Sequence, residues 1–274
     1  MKKWIIAVIS VFVVLAVAFT FIMASKANVV GKVIEENENF SVSKVVFKGA
    51  EDKDIYGLFF IPNKEEYNVI IVLPGAEGSK ESRRFYAEMF LEEGYGTLIL
   101  DQRGIGETDG EMLSFADDLY AFTKREGTNQ ILMALDTVKA AGFLKNVKGV
   151  KTIAVLGESM GGRTAIIATA LNETIKGAIV ISSAGLFGSL GNDVADQYLS
   201  FINPNSYIGK ISPRRILMLH SVNDTVISLR EAQATFSLAK EPKKLVQFSN
   251  PECLHGYCKP MKGFIRDELE MVFS

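Results

Sequence analysis

A serine with glycines two residues before and two residues after it is the most informative feature of the chain. The segment GESMG, residues 157–161, lies between an apolar run of strand type and an apolar run at helical spacing. A sharp strand-to-helix turn holds its central residue at strained backbone angles, and larger neighbours would collide with the strand and the helix. The pattern therefore predicts Ser159 as a nucleophile. A plain glycine-rich turn is the alternative, because short motifs of this kind also occur by chance.

A serine hydroxyl needs an adjacent base at neutral pH, and the base needs a group that fixes its tautomer. The chain contains two histidines, His220 and His255. His220 ends a predicted strand, where its side chain is committed to local structure, whereas His255 lies in a loop after the last predicted strand and is the predicted base. Asp224 directly follows a strand end and is the predicted acid, with an Asx turn as its alternative role.

Alternating strands and helices are expected to position these residues. Continuous apolar runs such as VIIVL, residues 69–73, predict strands buried on both faces, and they alternate with helical patterns along the chain. The first two predicted strands, residues 40–47 and 55–61, form an expected antiparallel pair. The fold class is therefore predicted to be α/β, with a mainly parallel central sheet flanked by helices. Ligands bind at the carboxyl ends of strands in such sheets, where Ser159 and the glycine-rich loop 74–78 fall.

The order Ser159, Asp224, His255 along the chain is that of the α/β-hydrolase family. The chain resembles this family from about residue 40 to its end, through GESMGG, HSVNDTVI and LHG. The segment DQRGIGETDG, residues 101–110, is similar to the family signature D-x-R-G-x-G-x-S-x-G and is expected to shape a loop. The resemblance implies hydrolysis of a carboxylic ester through an acyl-enzyme on the serine. Serine peptidases, thioesterases and acyltransferases share the fold and are the alternatives.

Acyl transfer places negative charge on the carbonyl oxygen, which preorganised backbone N–H donors stabilise. The N–H of Met160, directly after the nucleophile, is one predicted donor of this oxyanion hole. The resemblance to the family's H-G-x loop assigns the second donor to Ala76, although Pro74 stands where many relatives have histidine. The neighbouring Glu77 is the alternative donor. No cofactor and no metal are predicted, because the chain has no Cys/His cluster with metal-ligand spacing.

The N-terminal segment is predicted to be a transmembrane helix. Residues 4–24 contain no charged residue, and a helix of that length spans roughly 32 Å, enough for a bilayer core of about 30 Å. Lys2 and Lys3 precede it, which favours an N-terminus in the cytoplasm and a catalytic domain outside. Cleavage near residues 25–27, giving a secreted protein, is the alternative. The predicted organisation is an uncleaved signal-anchor, a linker and a catalytic domain at residues 1–26, 27–39 and 40–274.

Composition limits the partners of the chain. The formal net charge is −2 and no block of lysine and arginine occurs, which argues against a nucleic-acid partner. The expected partners are a small-molecule acyl substrate and the membrane, through the N-terminal helix. The competing class of protein is a non-catalytic, membrane-tethered binding module, which the complete set of predicted catalytic residues disfavours.

Two further features surround the predicted site. Residues 184–212 leave the sheet and carry several apolar side chains, so they are predicted to form a cap that either walls the site or merely packs onto the domain. Cys253 and Cys258 flank His255. Outside the cytoplasm they could form a disulfide that restrains the loop, and two reduced thiols are the alternative.

Overall fold

The computed structural model describes residues 31–274. The signal-anchor predicted at residues 1–26 lies outside the described residues. Among the helices within them, none combines the length and the apolar character that a membrane crossing requires.

Within the described range, nine strands form one sheet. In chain order they are β1 (Gly31–Glu36), β2 (Phe40–Lys48), β3 (Asp54–Pro62), β4 (Tyr67–Leu73), β5 (Gly96–Leu100), β6 (Val150–Glu158), β7 (Ile175–Ile181), β8 (Arg215–Ser221) and β9 (Lys243–Phe248). Their order across the sheet is β1-β2-β3-β5-β4-β6-β7-β8-β9. The pairs from β1 to β5 are antiparallel and the remaining pairs are parallel. The prediction of a mainly parallel sheet is confirmed.

Helices cover both faces of the sheet. The α-helices of the described range are α1 (Arg84–Glu92), α2 (Phe115–Thr123), α3 (Asn129–Lys145), α4 (Met160–Leu171), α5 (Asp193–Ile202), α6 (Leu229–Ser237) and α7 (Lys262–Phe273). Short 3-10 helices lie at Ala50–Asp52, Glu81–Arg83, Pro204–Ser206, Ile208–Lys210 and Lys259–Met261. One core joins Ile70 of β4 to α1 and α7, and a second joins the adjacent Ile71 to α3 and α4. Because successive side chains of a strand point to opposite faces, a strand covered on both sides needs a continuous apolar run.

The structure differs from the predicted organisation at its N-terminal side. Strand β1 falls within residues 27–39, which were expected to form a linker, and residues 27–30 lie outside the described range. The sequence of β1, GKVIEE, has only two apolar residues and is mostly exposed, so it carries no strand pattern. Its strand conformation comes from antiparallel pairing with β2, a contact that local sequence does not reveal.

The region predicted as a cap contains α5, which packs on α2. The buried Tyr198 of α5 donates a hydrogen bond from its hydroxyl to Asp118 Oδ2 of α2 at 2.9 Å. The rings of Phe115 and Phe122 of α2 lie 5.3 and 5.6 Å from the ring of Tyr198. Helix α2 follows the carboxyl end of β5, and α5 follows the carboxyl end of β7. The two helices, here called the two-helix cap, therefore lie at the carboxyl edge of the sheet.

Candidate active site

Ser159 occupies a sharp turn between β6 and α4. Its φ of 50° and ψ of −115° lie in a region that costs a residue with a side chain about 1–3 kcal/mol. A Cβ on Gly157 would lie 2.1 Å from the backbone oxygen of Gly161, and a Cβ on Gly161 would lie 2.1 Å from the backbone oxygen of Leu73. Both positions therefore require glycine, because the start of α4 closely approaches both β6 and β4.

Asp224 and His255 form a hydrogen-bonded pair. Nδ1 of His255 lies 2.9 Å from Oδ2 and 3.0 Å from Oδ1 of Asp224. An ionised carboxylate only accepts hydrogen bonds, so Nδ1 carries the proton and Nε2 is the free basic nitrogen. Asp224 also accepts from the N–H groups of Val226 and Ile227, at 2.9 Å each. Burial by itself raises the pKa of Asp224, but the hydrogen bonds from Ile227, His255 and Val226 together lower it below its usual value.

The second histidine, His220, is committed to local structure, as predicted. It is buried, and its Nε2–H donates to the backbone oxygen of Ile227 at 2.9 Å. Nε2 also lies 3.7 Å from Oδ2 of Asp224. Burial lowers the pKa of His220, so the ring is neutral at neutral pH. His220 thus packs against the acid from the side of the protein interior.

Ser159 and His255 line the same cleft, which has a volume of about 490 Å³. Asp224 is buried behind His255, so the imidazole lies between the carboxylate and the cleft. This arrangement can transfer a proton between a serine hydroxyl and a reacting group while the carboxylate offsets the imidazolium charge. Within residues 31–274, no group of three or more His, Cys, Asp or Glu side chains is arranged to hold a metal ion.

The turn that follows β4 lies beside the serine. A Cβ on Gly75 would lie 3.5 Å from the Cβ of Ser159. Ala76 and Glu77 are both exposed and both line the cleft. Met160 is the first residue of α4, where a backbone N–H has no acceptor within the helix. Met160 thus directly follows Ser159, and Ala76 and Glu77 line the same cleft as the serine, so Glu77 stays the alternative to Ala76 as the second predicted donor.

The buried ion pair between Lys80 and Asp101 stabilises the turn that follows β4. Asp101 accepts from the backbone N–H of Lys80 at 2.7 Å and from its Nζ at 2.5 Å. Gln102 donates from Nε2 to the backbone oxygen of Pro74 and accepts at Oε1 from Thr164 Oγ1 at 3.1 Å. Burial alone lowers the pKa of Lys80, but hydrogen bonds to carboxylates, Asp101 foremost, raise it above its usual value. The segment that resembles the family signature thus has a structural role, as expected.

A buried carboxylate that is absent from the predicted site lies next to the serine. Glu158 accepts hydrogen bonds from the hydroxyl of Tyr86 at 2.6 Å and from the N–H of Tyr257 at 3.3 Å, and it pairs with Arg83. Tyr86 lies on α1 and Tyr257 in the loop before α7, so Glu158 joins three elements around the cleft. Burial, and then the charge of Glu158, raise the pKa of Tyr86 well above its usual range. The available sequence signal was a charged residue at the end of an otherwise apolar strand.

A disulfide between Cys253 and Cys258 closes the loop that carries His255. Of the two states predicted for these cysteines, the structure has the bonded one. Gly256, which directly follows His255, has a φ of 91° and donates its N–H to Ser182 Oγ at 2.9 Å. Both cysteines are part of the core around α7. Covalent and hydrogen-bonded restraints therefore hold His255 at the cleft.

The cap segment, residues 184–212, does not form a wall of the cleft, which was one of its two predicted roles. The described residues that line the cleft are Gly75, Ala76, Glu77, Gly78, Ser82, Arg83, Glu158, Ser159, Val226, His255 and Gly256. None belongs to residues 184–212. Buried cap residues such as Tyr198 and Leu199 instead face the domain and α2. Tyr198 and Leu199 therefore have the packing role, whereas Phe187, Leu190 and Phe201 of the same segment are exposed.

The sheet, the turn at the serine and the Asp-His pair together define an α/β hydrolase. Residues 68–252, more than half of the chain, match the family model described as "alpha/beta hydrolase fold". The chain belongs to this family, and the family and the fold support a hydrolase.

Curated relatives and solved structures agree with this assignment. The uncharacterized protein YfhR of Escherichia coli O157:H7 is 24% identical over 241 residues, covering 84% of this chain and 80% of that protein. The uncharacterized protein YqkD of Bacillus subtilis strain 168 is 23% identical, covering 83% and 78%. Acetyl xylan esterase from Paenibacillus sp. R4 superposes with a TM-score of 0.76 at 18% identity, covering 88% and 87%. The esterase PF2001 of Pyrococcus furiosus superposes with a TM-score of 0.67 at 18% identity, covering 91% and 97%. These structural likenesses show a shared fold.

Proposed function

We propose that the protein is a serine hydrolase that cleaves a carboxylic ester, anchored in a membrane by its N-terminal segment with the catalytic domain outside the cytoplasm. The observation that carries the catalytic proposal is the Asp224–His255 hydrogen bond behind the cleft that Ser159 lines. The preference for esters is supported by the structural neighbours from Paenibacillus sp. R4 and Pyrococcus furiosus, which are named as esterases.

In the proposed reaction, Ser159 Oγ attacks the ester carbonyl carbon while His255 Nε2 accepts the hydroxyl proton. The resulting oxyanion accepts hydrogen bonds from the N–H groups of Met160 and Ala76, each contributing roughly 3–4 kcal/mol. The C–O bond to the alcohol then breaks, and the alcohol leaves with the proton from Nε2. Water, deprotonated by the same nitrogen, attacks the acyl-enzyme, releases the acid and restores the serine.

Labelling with a fluorophosphonate probe tests the nucleophile. The wild-type protein is expected to be labelled and Ser159→Ala to be unlabelled, because the probe phosphonylates an activated serine with loss of fluoride. Ser237→Ala, at an exposed position on α6, is the matched control and should be labelled like the wild type. Absence of labelling in folded wild-type protein would contradict catalysis by serine and favour the non-catalytic binding module.

A substrate panel tests the bond that is cleaved. Short p-nitrophenyl acyl esters are expected to turn over, with little cleavage of aminoacyl amides. Faster cleavage of amides would support the peptidase alternative, and faster cleavage of acyl thioesters the thioesterase alternative. Either result would contradict ester hydrolysis as the main activity, while the fluorophosphonate result would still report the nucleophile.

Fractionation tests the anchor. The full-length chain is expected to stay with membranes through an alkaline carbonate wash, because an embedded helix of about 20 apolar residues is not extracted by removing ionic contacts. Release of a shortened protein into the medium would contradict the uncleaved anchor and favour secretion.

A further inference from the structure

The chain enters the sheet at the same edge as the catalytic cleft. Gly31, the first residue of β1, pairs with Val45 of β2. Val45 in turn pairs with Gly57 of β3, and Gly57 pairs with Leu100 of β5. Leu100 is the last residue of β5, so this row of residues marks the carboxyl end of the parallel strands. Strand β1 runs antiparallel to β5 and therefore begins at the edge where the parallel strands end.

This entry point limits how the domain can be oriented on a membrane. Only residues 25–30 separate the uncharged segment 4–24 from Gly31. The seven residue steps from Ala24 to Gly31 extend over at most about 25 Å. If residues 4–24 are embedded in the bilayer, as proposed, the carboxyl edge of the sheet lies within that distance of the membrane surface.

The two-helix cap carries an exposed apolar surface at this same edge. Phe115 and Phe122 of α2 are seven residues apart, as are Val194 and Phe201 of α5, so each pair lies on one side of its helix. The rings of Phe122 and Phe201 lie 5.7 Å apart, so the apolar side of α2 and the apolar side of α5 are in contact. Phe115 and Val194 are 48% and 49% exposed. Six of the exposed apolar side chains of the two helices and their flanking loops are here called the cap face: Met112, Phe115, Phe187, Leu190, Val194 and Phe201.

We propose that the cap face rests on the surface of the lipid bilayer and that the ester substrate is drawn from that bilayer. The orientation depends on the proposed anchoring, and the substrate class depends on the proposed ester hydrolysis. A cluster of exposed apolar side chains marks an interaction site, and protein surfaces that lie on a bilayer bury side chains such as phenylalanine and leucine at its interface. A short tether keeps the cap face at a high effective concentration near the lipid, so that weak insertion suffices.

The first turns of both cap helices carry exposed acidic side chains. Asp117 in the first turn of α2 and Asp193 in the first turn of α5 are both exposed. Their carboxylates would be repelled by anionic headgroups, with a force that salt weakens. The expected surface is therefore a zwitterionic lipid such as phosphatidylcholine, and a larger fraction of anionic lipid is expected to weaken the contact.

Quenching by lipid tests the contact directly. The full chain is reconstituted in phosphatidylcholine vesicles with brominated acyl chains, and a fluorophore is attached at Val194→Cys. Leu171→Cys is the matched control, because Leu171 is 48% exposed, close to the 49% of Val194, but ends α4 at the opposite edge of the sheet. Bromination is expected to reduce emission at position 194 at least twofold and to leave position 171 unchanged.

Three outcomes would overturn the proposal. Equal emission with and without bromine at position 194, in protein that remains membrane-bound, would show that the cap face does not touch lipid. An emission change that follows the protein-to-lipid ratio rather than bromine would indicate that a second copy of the chain covers the face. Release of the protein by alkaline carbonate would remove the anchoring on which the orientation depends.

Activity provides an independent test of the substrate source. Phe115→Ser combined with Phe201→Ser is expected to lower turnover of a long-chain ester dissolved in the vesicles at least fivefold, and to leave a short soluble ester unaffected. Leu171→Ser, the control, should change neither rate. Equal loss on both substrates would contradict the interfacial role. If the wild type hydrolyses neither ester while lipid still quenches position 194, the docking stands and the proposed ester hydrolysis fails.

Discussion

Asp224 combines two functions that are often separate, since it accepts hydrogen bonds from the backbone of Val226 and Ile227 and also from His255. The first function is the Asx-type turn that sequence reasoning held as an alternative, and the second orients the imidazole. One carboxylate can do both because it has two oxygens, each able to accept two hydrogen bonds.

Asp224→Asn separates the two functions. The amide oxygen can still accept from the backbone, but the amide NH₂ would donate toward His255 Nδ1 and move the proton onto Nε2, which removes the base. We expect kcat on a short ester to fall about 10⁴-fold, with little change in thermal unfolding. Asp267→Asn, at an exposed position on α7, is the matched control. An unchanged kcat in Asp224→Asn would contradict the proposed pairing.

His220 makes stability depend on pH. Burial lowers its pKa in the folded state, so below about pH 6.5 the unfolded chain binds a proton that the folded protein does not. The contribution of His220 to stability is present above that pH and is lost as the pH falls toward the folded-state pKa, by at most about 1.4 kcal/mol per pH unit. Urea denaturation between pH 7 and 5 should show a shallower decline for His220→Asn. An identical decline in the two proteins would contradict this account.

At the scale of single elements, the turn between β6 and α4 is the most constrained part of the site. Gly161→Ala would place a methyl group 2.1 Å from the backbone oxygen of Leu73. We expect the free energy of unfolding to drop by roughly 1–3 kcal/mol, because neither element can move without disturbing the core. Gly142→Ala in α3 is the control, since nothing lies within 4 Å of the added atom, and it should raise stability by about 0.5–1 kcal/mol. Similar changes in unfolding free energy from the two substitutions would contradict a steric requirement for glycine at position 161.

The loop before α7 depends on its disulfide. Replacing both Cys253 and Cys258 by alanine is expected to lower the free energy of unfolding by about 2 kcal/mol, because a short loop is no longer closed in the unfolded chain. The same substitutions are also expected to lower kcat, because His255 lies inside that loop and is no longer held in place. Intact-mass measurement with and without reductant should first establish that the disulfide is present. Two free thiols in protein purified from outside the cytoplasm would contradict the bond.

At the scale of the whole molecule, β1 protects the edge of the sheet. It covers β2, whose Val42 and Val45 are fully buried, and its own apolar residues are mostly exposed. Chains that begin at residue 31 and at residue 40 should therefore differ, because the shorter one leaves β2 as an unpaired edge strand. Light scattering on mild heating is expected to show earlier aggregation of the shorter chain. Equal aggregation would mean that β1 has no protective role.

Much of the fold and part of the candidate site could be predicted from local sequence. Buried strands such as β4 have continuous apolar runs, and the alternation of these runs with helical patterns indicates a parallel sheet. Ser159 was recognisable because a sharp turn needs small neighbours at set positions, and His255 because the chain has only two histidines. Strand β1 could not be predicted, because it forms through pairing with β2 rather than through an apolar pattern of its own.

Local sequence was enough to predict the residue types that carry the chemistry and the class of fold that holds them. Three features are visible only in the folded chain: Glu158 links the serine turn to Tyr86 and Tyr257, the cap packs beside the cleft rather than lining it, and β1 begins at the catalytic edge. The two groups of features differ in the range of the interactions that produce them. Periodicity and turn chemistry act over a few neighbouring residues, whereas these contacts join segments up to 99 residues apart, whose approach depends on the packing of the complete sheet.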